Sequence, residues 1–389
     1  MSQQITVIGG GLAGLATAIT CAEGGANVLL LEAHETLGGR ARSNVGDYKA
    51  NLGPHVLYKG GSLWDWLVER KLLPPLGGVP LAGIRMRYKG EIRRTPPLGM
   101  IPAVLRLRGR QAPVDLDFRS WAANHIDAET ADLLSHAAGV YTFHHDPGEL
   151  SAAFVWERTV RTLLTPPPAA RYVTGGWGTL VTVLERRARD LDVKIETGRR
   201  VESLPNGPVV IATELGDARQ LLGDNSITWT SGRTLCLDVG LSHRRGDPFV
   251  VSDLDESGWI ERFTAADATL APAGHELVQA QMPIRPKEGA EGAARRLERL
   301  MDSALPDWQQ RETWRRRQVM DARSGALDPP GSSWRDRPAV DRGDGVYLVG
   351  DMVAAPGLLA EVSCASAIHA SRLALESLDA SRRVLRKVA

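Results

Sequence analysis

The chain has 389 residues, 43% of them hydrophobic and 24% charged, which is the profile of an average soluble globular protein and excludes a disordered chain or a small disulfide scaffold. Its 47 Lys and Arg balance 46 Asp and Glu, so no global field draws it to nucleic acid. Cys21, Cys236 and Cys364 are widely scattered and lack the close spacing of a zinc site or a redox CxxC, which points to a reducing compartment.

The first apolar run, Ile5 to Ile8, ends at glycines and is too short for a signal peptide. No later run reaches membrane-spanning length, so the expected location is the cytoplasm. A length of this order predicts two domains, or one large α/β domain with insertions.

Ile5-Thr6-Val7-Ile8 is β-branched throughout, as a parallel strand buried on both faces requires, and runs into Gly9-Gly10-Gly11-Leu12-Ala13-Gly14. Ala-rich Leu15 to Cys21 is helix-compatible, so this GxGxxG sits where a helix N-terminus presents unpaired N–H groups. Gly9 permits the tight turn, Gly11 the approach of a pyrophosphate, and Gly14 close helix-on-strand packing. A turn at Gly24-Gly25 leads to a second buried strand, Asn27-Val28-Leu29-Leu30-Leu31, ending in Glu32. A carboxylate at that spacing meets a ribose diol and repels a 2′-phosphate, which disfavours NADP.

Glu32-Ala33 is followed by Gly38-Gly39-Arg40-Ala41-Arg42 and by Asn51-Leu52-Gly53-Pro54-His55. With these residues the chain resembles the superfamily of flavin amine oxidases, phytoene desaturases and protoporphyrinogen oxidases, in which a GGR-type motif trails the fingerprint and a GxH-type segment lines the flavin. The resemblance implies non-covalently bound FAD rather than NAD. It implies cofactor contacts from Gly9, Gly11, Leu12, Ala13, Gly14, Glu32, Ala33, Gly39, Arg40, Ala41, Gly53, Pro54 and His55.

Two later blocks carry the same resemblance. Gly175-Gly176-Trp177-Gly178 opens a predicted helix to Asp190, followed by Val193 to Ile195, Val201 and the strand Pro208 to Thr213. In similar proteins the chain returns there to the FAD domain, the residue at Val201 holds the adenine through its backbone, and a strand like Val209 to Ala212 runs beneath the cofactor. Gly345 to Asp351 is a predicted strand ending in Gly350-Asp351, and Pro356-Gly357-Leu358-Leu359-Ala360 leads into a closing helix. The resemblance gives Asp351 the pyrophosphate or ribityl chain, and aims the helix N-terminus, through Leu358, Leu359 and Ala360, at the flavin pyrimidine, where its dipole favours negative charge.

The fold class this predicts is α/β: a Rossmann-like, doubly wound FAD-binding domain with a discontinuous mixed-sheet and helical substrate domain. Residues 1–60, 171–225 and 341–389 would form the FAD domain, and residues 61–170 and 226–340 the substrate domain. Predicted elements of the latter are a helix from Ser62 to Lys71, a hairpin around Gly90 in which Ile84, Met86 and Tyr88 alternate with Arg85, Arg87 and Lys89, and helical patterns from Phe118 to Gly139 and Glu149 to Leu164. Pro166-Pro167-Pro168 marks a hinge or boundary. Strands from Thr234 to Val239, Phe249 to Ser252 and Leu277 to Met282 and a helix from Ala290 to Leu305 follow. No second GxGxxG follows a strand, so a separate NAD(P)H domain is not expected.

Flavin dehydrogenation asks little of side chains, because N5 takes the hydride and the protein positions and desolvates the donor carbon. His55 is the candidate catalytic residue, as base or hydrogen-bond partner, with a structural histidine as the alternative. His144-His145-Asp146 lacks a third nearby ligand, so no metal site is expected; Tyr141 and Phe143 fit either pocket or core. Between Gly350 and Arg372 there is no Phe, Tyr or Trp, where the resemblance to amine oxidases would place an aromatic beside the flavin. That shifts the expectation toward a desaturase of a small, apolar or secondary-metabolite substrate. An amine oxidase, a non-redox flavin isomerase or cyclase, and a flavin-free prenyl-protein binder resembling Rab escort proteins stand as alternatives. Eight Lys or Arg between Ile84 and Arg110 face one Glu, a pattern that suits either a solvated hairpin and amphipathic helix or peripheral contact with anionic lipid. Oligomeric state is not legible.

Overall fold

The computed structural model describes residues 4–164 and 168–388, with side chains to residue 379. Its central element is a parallel sheet of five strands in the order Val346–Leu348, Val209–Ile211, Gln4–Ile8, Asn27–Leu31, Lys194–Glu196. Thr6 pairs with Leu29 on one side and with Val209 on the other. The first strand is therefore flanked by its successor and by a strand some two hundred residues later, and the strand order reverses beside it. In an open parallel sheet that reversal opens a crevice at the carboxyl ends of the strands, just where the Gly9 to Gly14 loop emerges.

Helices cover both faces. Leu12–Glu23 packs against the closing helix Ala360–Val388 and against Trp177–Asp190. Ile5, Leu15, Ile19, Leu30, Leu180 and Leu348 are fully enclosed between them, each contributing about 1.5–3 kcal/mol of apolar burial. Ser62–Glu69 lies along the closing helix, and Trp66 Nε1 donates to Thr20 Oγ1 at 3.1 Å.

A second sheet has seven strands in the order Glu312–Ala326, Ser231–Ser242, His275–Pro283, Trp259–Arg262, Val250–Asp253, Ile84–Tyr88, Glu91–Arg93. It is antiparallel except where Ile84–Tyr88 pairs parallel with Val250–Asp253, so the hairpin around Gly90 completes a mixed sheet formed mainly by residues beyond 230. The helix Ala290–Ala304 packs on one face through Leu297, Leu300 and Met301 against Leu235, Leu237, Val239 and Val278.

Two readings of the sequence change. The pattern from Phe118 to Gly139 is interrupted: Asp117 and Asp127 each accept an N–H three residues on, from Ser120 and Thr130, and so cap separate helices, Phe118–Ala123 and Ala128–Ala137. The long strand Glu312–Ala326 has no counterpart among the predicted elements. Its four arginines and glutamine, with few aliphatic residues, do not read as a strand. The hinge or boundary expected at Pro166-Pro167-Pro168 falls mainly on residues outside those described. No helix of the described residues is long and apolar enough to cross a membrane.

Candidate functional site

The glycine turn is built by contact. Gly9 has φ +106°, and a Cβ there would lie 2.6 Å from Ala212 O; at Gly14 it would lie 1.8 Å from Gly9 O. Only a hydrogen fits at either. Gly11 differs, because a Cβ on it would meet nothing within 4 Å. It is the N-cap of the Leu12–Glu23 helix, and no side chain caps that end. The N-terminus, with Leu12 and Ala13, thus opens on a space beside Gly11, the cradle that a pyrophosphate requires.

Glu32 closes one side of this cradle. Its Oε2 accepts the Gly10 N–H at 2.7 Å and its Oε1 the His34 N–H at 2.8 Å. Burial pushes the carboxyl's pKa up, and these hydrogen bonds overcome that and hold it below the usual range. Oε1 also meets His34 Nδ1 at 2.8 Å, so Oε2 is the oxygen that retains a lone pair for a hydroxyl donor. Ala33 is exposed beside it. Gly198 and Arg199 donate to His34 O and Glu32 O, which brings the half-buried Val201 to the same strand end.

The Gly38-Gly39-Arg40 turn docks directly on the glycine loop. Gly38 N–H donates to Gly10 O at 2.7 Å, and a Cβ at Gly39 would stand 3.3 Å from Gly11 Cα. Ala41 is buried behind it. Arg40 meets Asp351 with two bonds, Nη1 to Oδ2 and Nη2 to Oδ1, both 2.7 Å. Burial raises the Asp351 pKa, and the Arg40 charge and bonds more than reverse this, holding the carboxyl below its ordinary value. Arg40, Thr213, Glu214, Ala322, Gly350 and Asp351 line one cleft. Sequence blocks separated by most of the chain therefore meet at one place.

Gly53-Pro54-His55 lies close enough to Arg40 for His55 to feel its charge. The His55 ring stands edge-on to Trp177 with centroids 4.8 Å apart, and Nδ1 is 2.8 Å from Gly53 O. Burial, aided by the Arg40 charge, pushes its pKa down to about 4. It is a neutral imidazole at physiological pH and too weak a base to hold a proton there. A neutral imidazole offers one donor and one acceptor nitrogen.

At the start of the closing helix the structure adds a residue that sequence reasoning missed. Leu358 N–H donates to Glu361 Oε2 at 2.9 Å, and Glu361 is clamped by both terminal nitrogens of Arg161. Leu358 is buried and Leu359 adopts φ +52°. The helix end at Ala360 thus already carries a carboxylate on one of the N–H groups assigned to the flavin. Arg158 lies nearby, buried, over the Phe154 ring at 3.5 Å and bonded at 3.4 Å to Gly357 O. Neither arginine belongs to a recognisable motif, and only the packing of Ala152–Leu163 on the 356–361 segment identifies them.

In the seven-stranded sheet, Glu261 is enclosed by Tyr172, whose hydroxyl donates to it, and by Trp259 Nε1 at 3.2 Å. Burial raises its pKa to about 7. Tyr141 bonds Thr159, while Phe143 packs at a helix end with φ +56°. His144 Nδ1 lies against Asp146 O, and Asp146 pairs with Arg119; among the described residues no cluster of three His, Cys, Asp or Glu side chains could hold a metal. Cys364 is buried near Ser62 O.

Comparison with known proteins agrees with this geometry. Residues 7–69 match the NAD(P)-binding Rossmann-like domain family. Over 53 residues the chain is 47% identical to the carotenoid 3,4-desaturase of Haloarcula japonica, a match covering 13% of this chain and 11% of the desaturase. An oxidoreductase from Methanosarcina mazei superposes with TM-score 0.77 at 15% identity, covering 95% of this chain and all of that one. The two chains share one overall fold. Cyclohexylamine oxidase from Brevibacterium oxydans superposes over 97% of this chain and all of its own, with TM-score 0.70 and 15% identity.

Proposed function

We propose that the protein is an FAD-dependent oxidoreductase that takes a hydride from a carbon of a small organic substrate. The observation that carries this is the meeting of Arg40 and Asp351 beside the open face of Gly11, a cradle whose donors and carboxylates suit a dinucleotide. When bound, FAD supplies the hydride acceptor. The glycine loop and the uncapped helix end would hold its pyrophosphate, Glu32 its ribose, Val201 its adenine edge, and Arg40 and Asp351 its central chain. Gly53, Pro54 and His55 would border the ring, with Leu358, Leu359 and Ala360 at its far side. Residues 1–60, 171–225 and 341–389 are assigned to this cofactor domain, and 61–170 and 226–340 to the part facing substrate.

Dehydrogenation of carbon is favoured by the absence of aromatic residues between Gly350 and Arg372 and by the desaturase match. An amine oxidase forming imine and peroxide is the second reading, supported by the likeness to cyclohexylamine oxidase. Purification tests the first claim: the protein is yellow, releases FAD on denaturation, and bleaches anaerobically with its substrate. A colourless protein that takes up no FAD refutes it. Peroxide formed with simple amines selects the second reading.

Lipid contact through residues 84–110 is supported by exposed Leu98, Ile101 and Leu105 beside exposed Arg94, Arg108 and Arg110. It is weakened because Arg87, Lys89 and Arg93 are paired with Asp253, Glu129 and Glu91. Co-sedimentation with anionic vesicles decides between this and a solvated surface.

A further inference from the structure

The two faces of the seven-stranded sheet differ in kind. Leu235, Leu237, Val239, Val278, Ala280 and Met282 form the apolar patch under the Ala290–Ala304 helix, with Arg262, Arg315 and Arg317 on the flanking strands of that face. Directly paired residues share a face. The opposite face therefore carries three adjacent cross-strand rows: Met320 and Thr234; Gln318, Cys236, Gln281 and Trp259; and Arg316, Asp238, Gln279 and Glu261. In the third row Asp238 receives Arg316 Nε and Gln279 Nε2, each at 2.7 Å.

Four atoms on this face have no hydrogen-bond partner although they are buried: Thr234 Oγ1, Gln279 Oε1, Gln281 Oε1 and Gln318 Nε2. Thr234, Gln279 and Gln281 are 1%, 2% and 1% exposed. A sheet face needed only for packing would be apolar here too, because each unmade bond leaves a desolvation cost that the fold does not recover.

Their location is the reaction site of the preceding section, on whose reading this inference rests. Gln279 and Arg316 both donate to Asn51 O, and Met320 Cε lies 3.8 Å from where a Cβ on Gly53 would stand. The Gln318, Cys236 and Gln281 row lies between these two anchors, beneath the segment that carries His55. At its far end Gln281 Nε2 reaches Val140 O at 3.5 Å. The orphaned atoms thus form a floor between residues 51–55 and the Gly139–Thr142 helix.

We propose that Gln281 and Gln318, with Gln279 and Thr234, form a substrate-recognition floor for a neutral group that both donates and accepts hydrogen bonds, a hydroxyl or carboxamide on a compact skeleton. Gln318 Nε2 supplies a donor, Gln279 and Gln281 supply acceptors, and Thr234 supplies either. Asp238 is paired with Arg316, and the four orphaned atoms are themselves uncharged, so what they offer a substrate is hydrogen bonding and not an ion pair. A bare hydrocarbon would leave all four atoms unpaired. The substrate is therefore polar at the end that meets the sheet, whatever the character of its body.

Benzamide and toluene, which share a ring and differ in the amide, test this on the purified holoenzyme. Binding is read from tryptophan fluorescence, since Trp259 and Trp177 border the site, and from the flavin spectrum. Native protein binds benzamide more tightly than toluene. Gln281→Met and Gln318→Met each lower that preference about tenfold, the worth of one hydrogen bond, with thermal midpoints unchanged or raised. Equal affinity for the two probes, or variants that keep the native preference, overturns the proposal and assigns the four atoms to solvent. A colourless protein that still discriminates by tryptophan fluorescence would refute the flavin reading and leave the floor standing.

Discussion

Arg40 and Asp351, 311 residues apart in sequence, face each other through two parallel 2.7 Å hydrogen bonds. The pair ties the turn after the glycine loop to the strand end before the closing helix, and it is only partly screened, with side chains 33% and 14% exposed. Asp351→Asn weakens it, and the expected stability loss lies between the ~1 kcal/mol of an exposed pair and the ~3–5 kcal/mol of a buried one. The same variant retains less FAD per mole of protein, measured by absorbance after denaturation. Native flavin content would detach this pair from the cofactor.

Gly11 and Gly14 separate binding from folding. Gly11→Ala places its methyl in open space, so the melting temperature should stay within about 2 °C of native, as for an unstrained surface change, while FAD is lost. Gly14→Ala drives a methyl into Gly9 O and should cost at least the ~1–3 kcal/mol of core overpacking. A Gly11→Ala protein with full flavin would place the pyrophosphate elsewhere.

His55→Ala is expected to slow flavin reduction by substrate about tenfold, the value of one lost hydrogen bond in the transition state, with FAD still bound. Because burial takes the His55 pKa down to about 4, its titration adds no inflection to the reduction rate between pH 5.5 and 8. Stopped-flow reduction across that range checks both points. Unchanged kinetics in the variant remove His55 from the mechanism.

Glu261 makes stability fall as pH rises. Its folded pKa of about 7 exceeds the ordinary 4.5, so between those values the native state holds a proton that the unfolded chain releases, and each step up in pH favours unfolding. Glu261→Gln removes this term. The variant's melting temperature relative to native should therefore improve from pH 4.5 to pH 7.5. A difference that is independent of pH would mean that Glu261 ionises normally.

What the sequence determines by itself is the dinucleotide unit. The β-branched strand, the glycines at 9, 11 and 14, the Asn27–Leu31 strand and Glu32 are set by side-chain periodicity and steric limits within some thirty residues, and the structure places each as the spacing requires. Short-range chemistry also marks the ends of most helices, though the Asp127 cap shows how an apolar pattern can run past a break. The arrangement around the cleft has no such local signature. Arg40 reaches Asp351 only because the Val209–Ile211 and Val346–Leu348 strands stack beside the first. Glu361 takes the Leu358 N–H only because Arg161 on another helix holds it. The strand Glu312–Ala326 hides behind its arginines, and its Gln318 joins Gln281 across Cys236 solely through antiparallel register. Pairing between distant segments is decided by burial of the whole chain, and the polar floor that sets the substrate's chemistry exists only after that burial is complete.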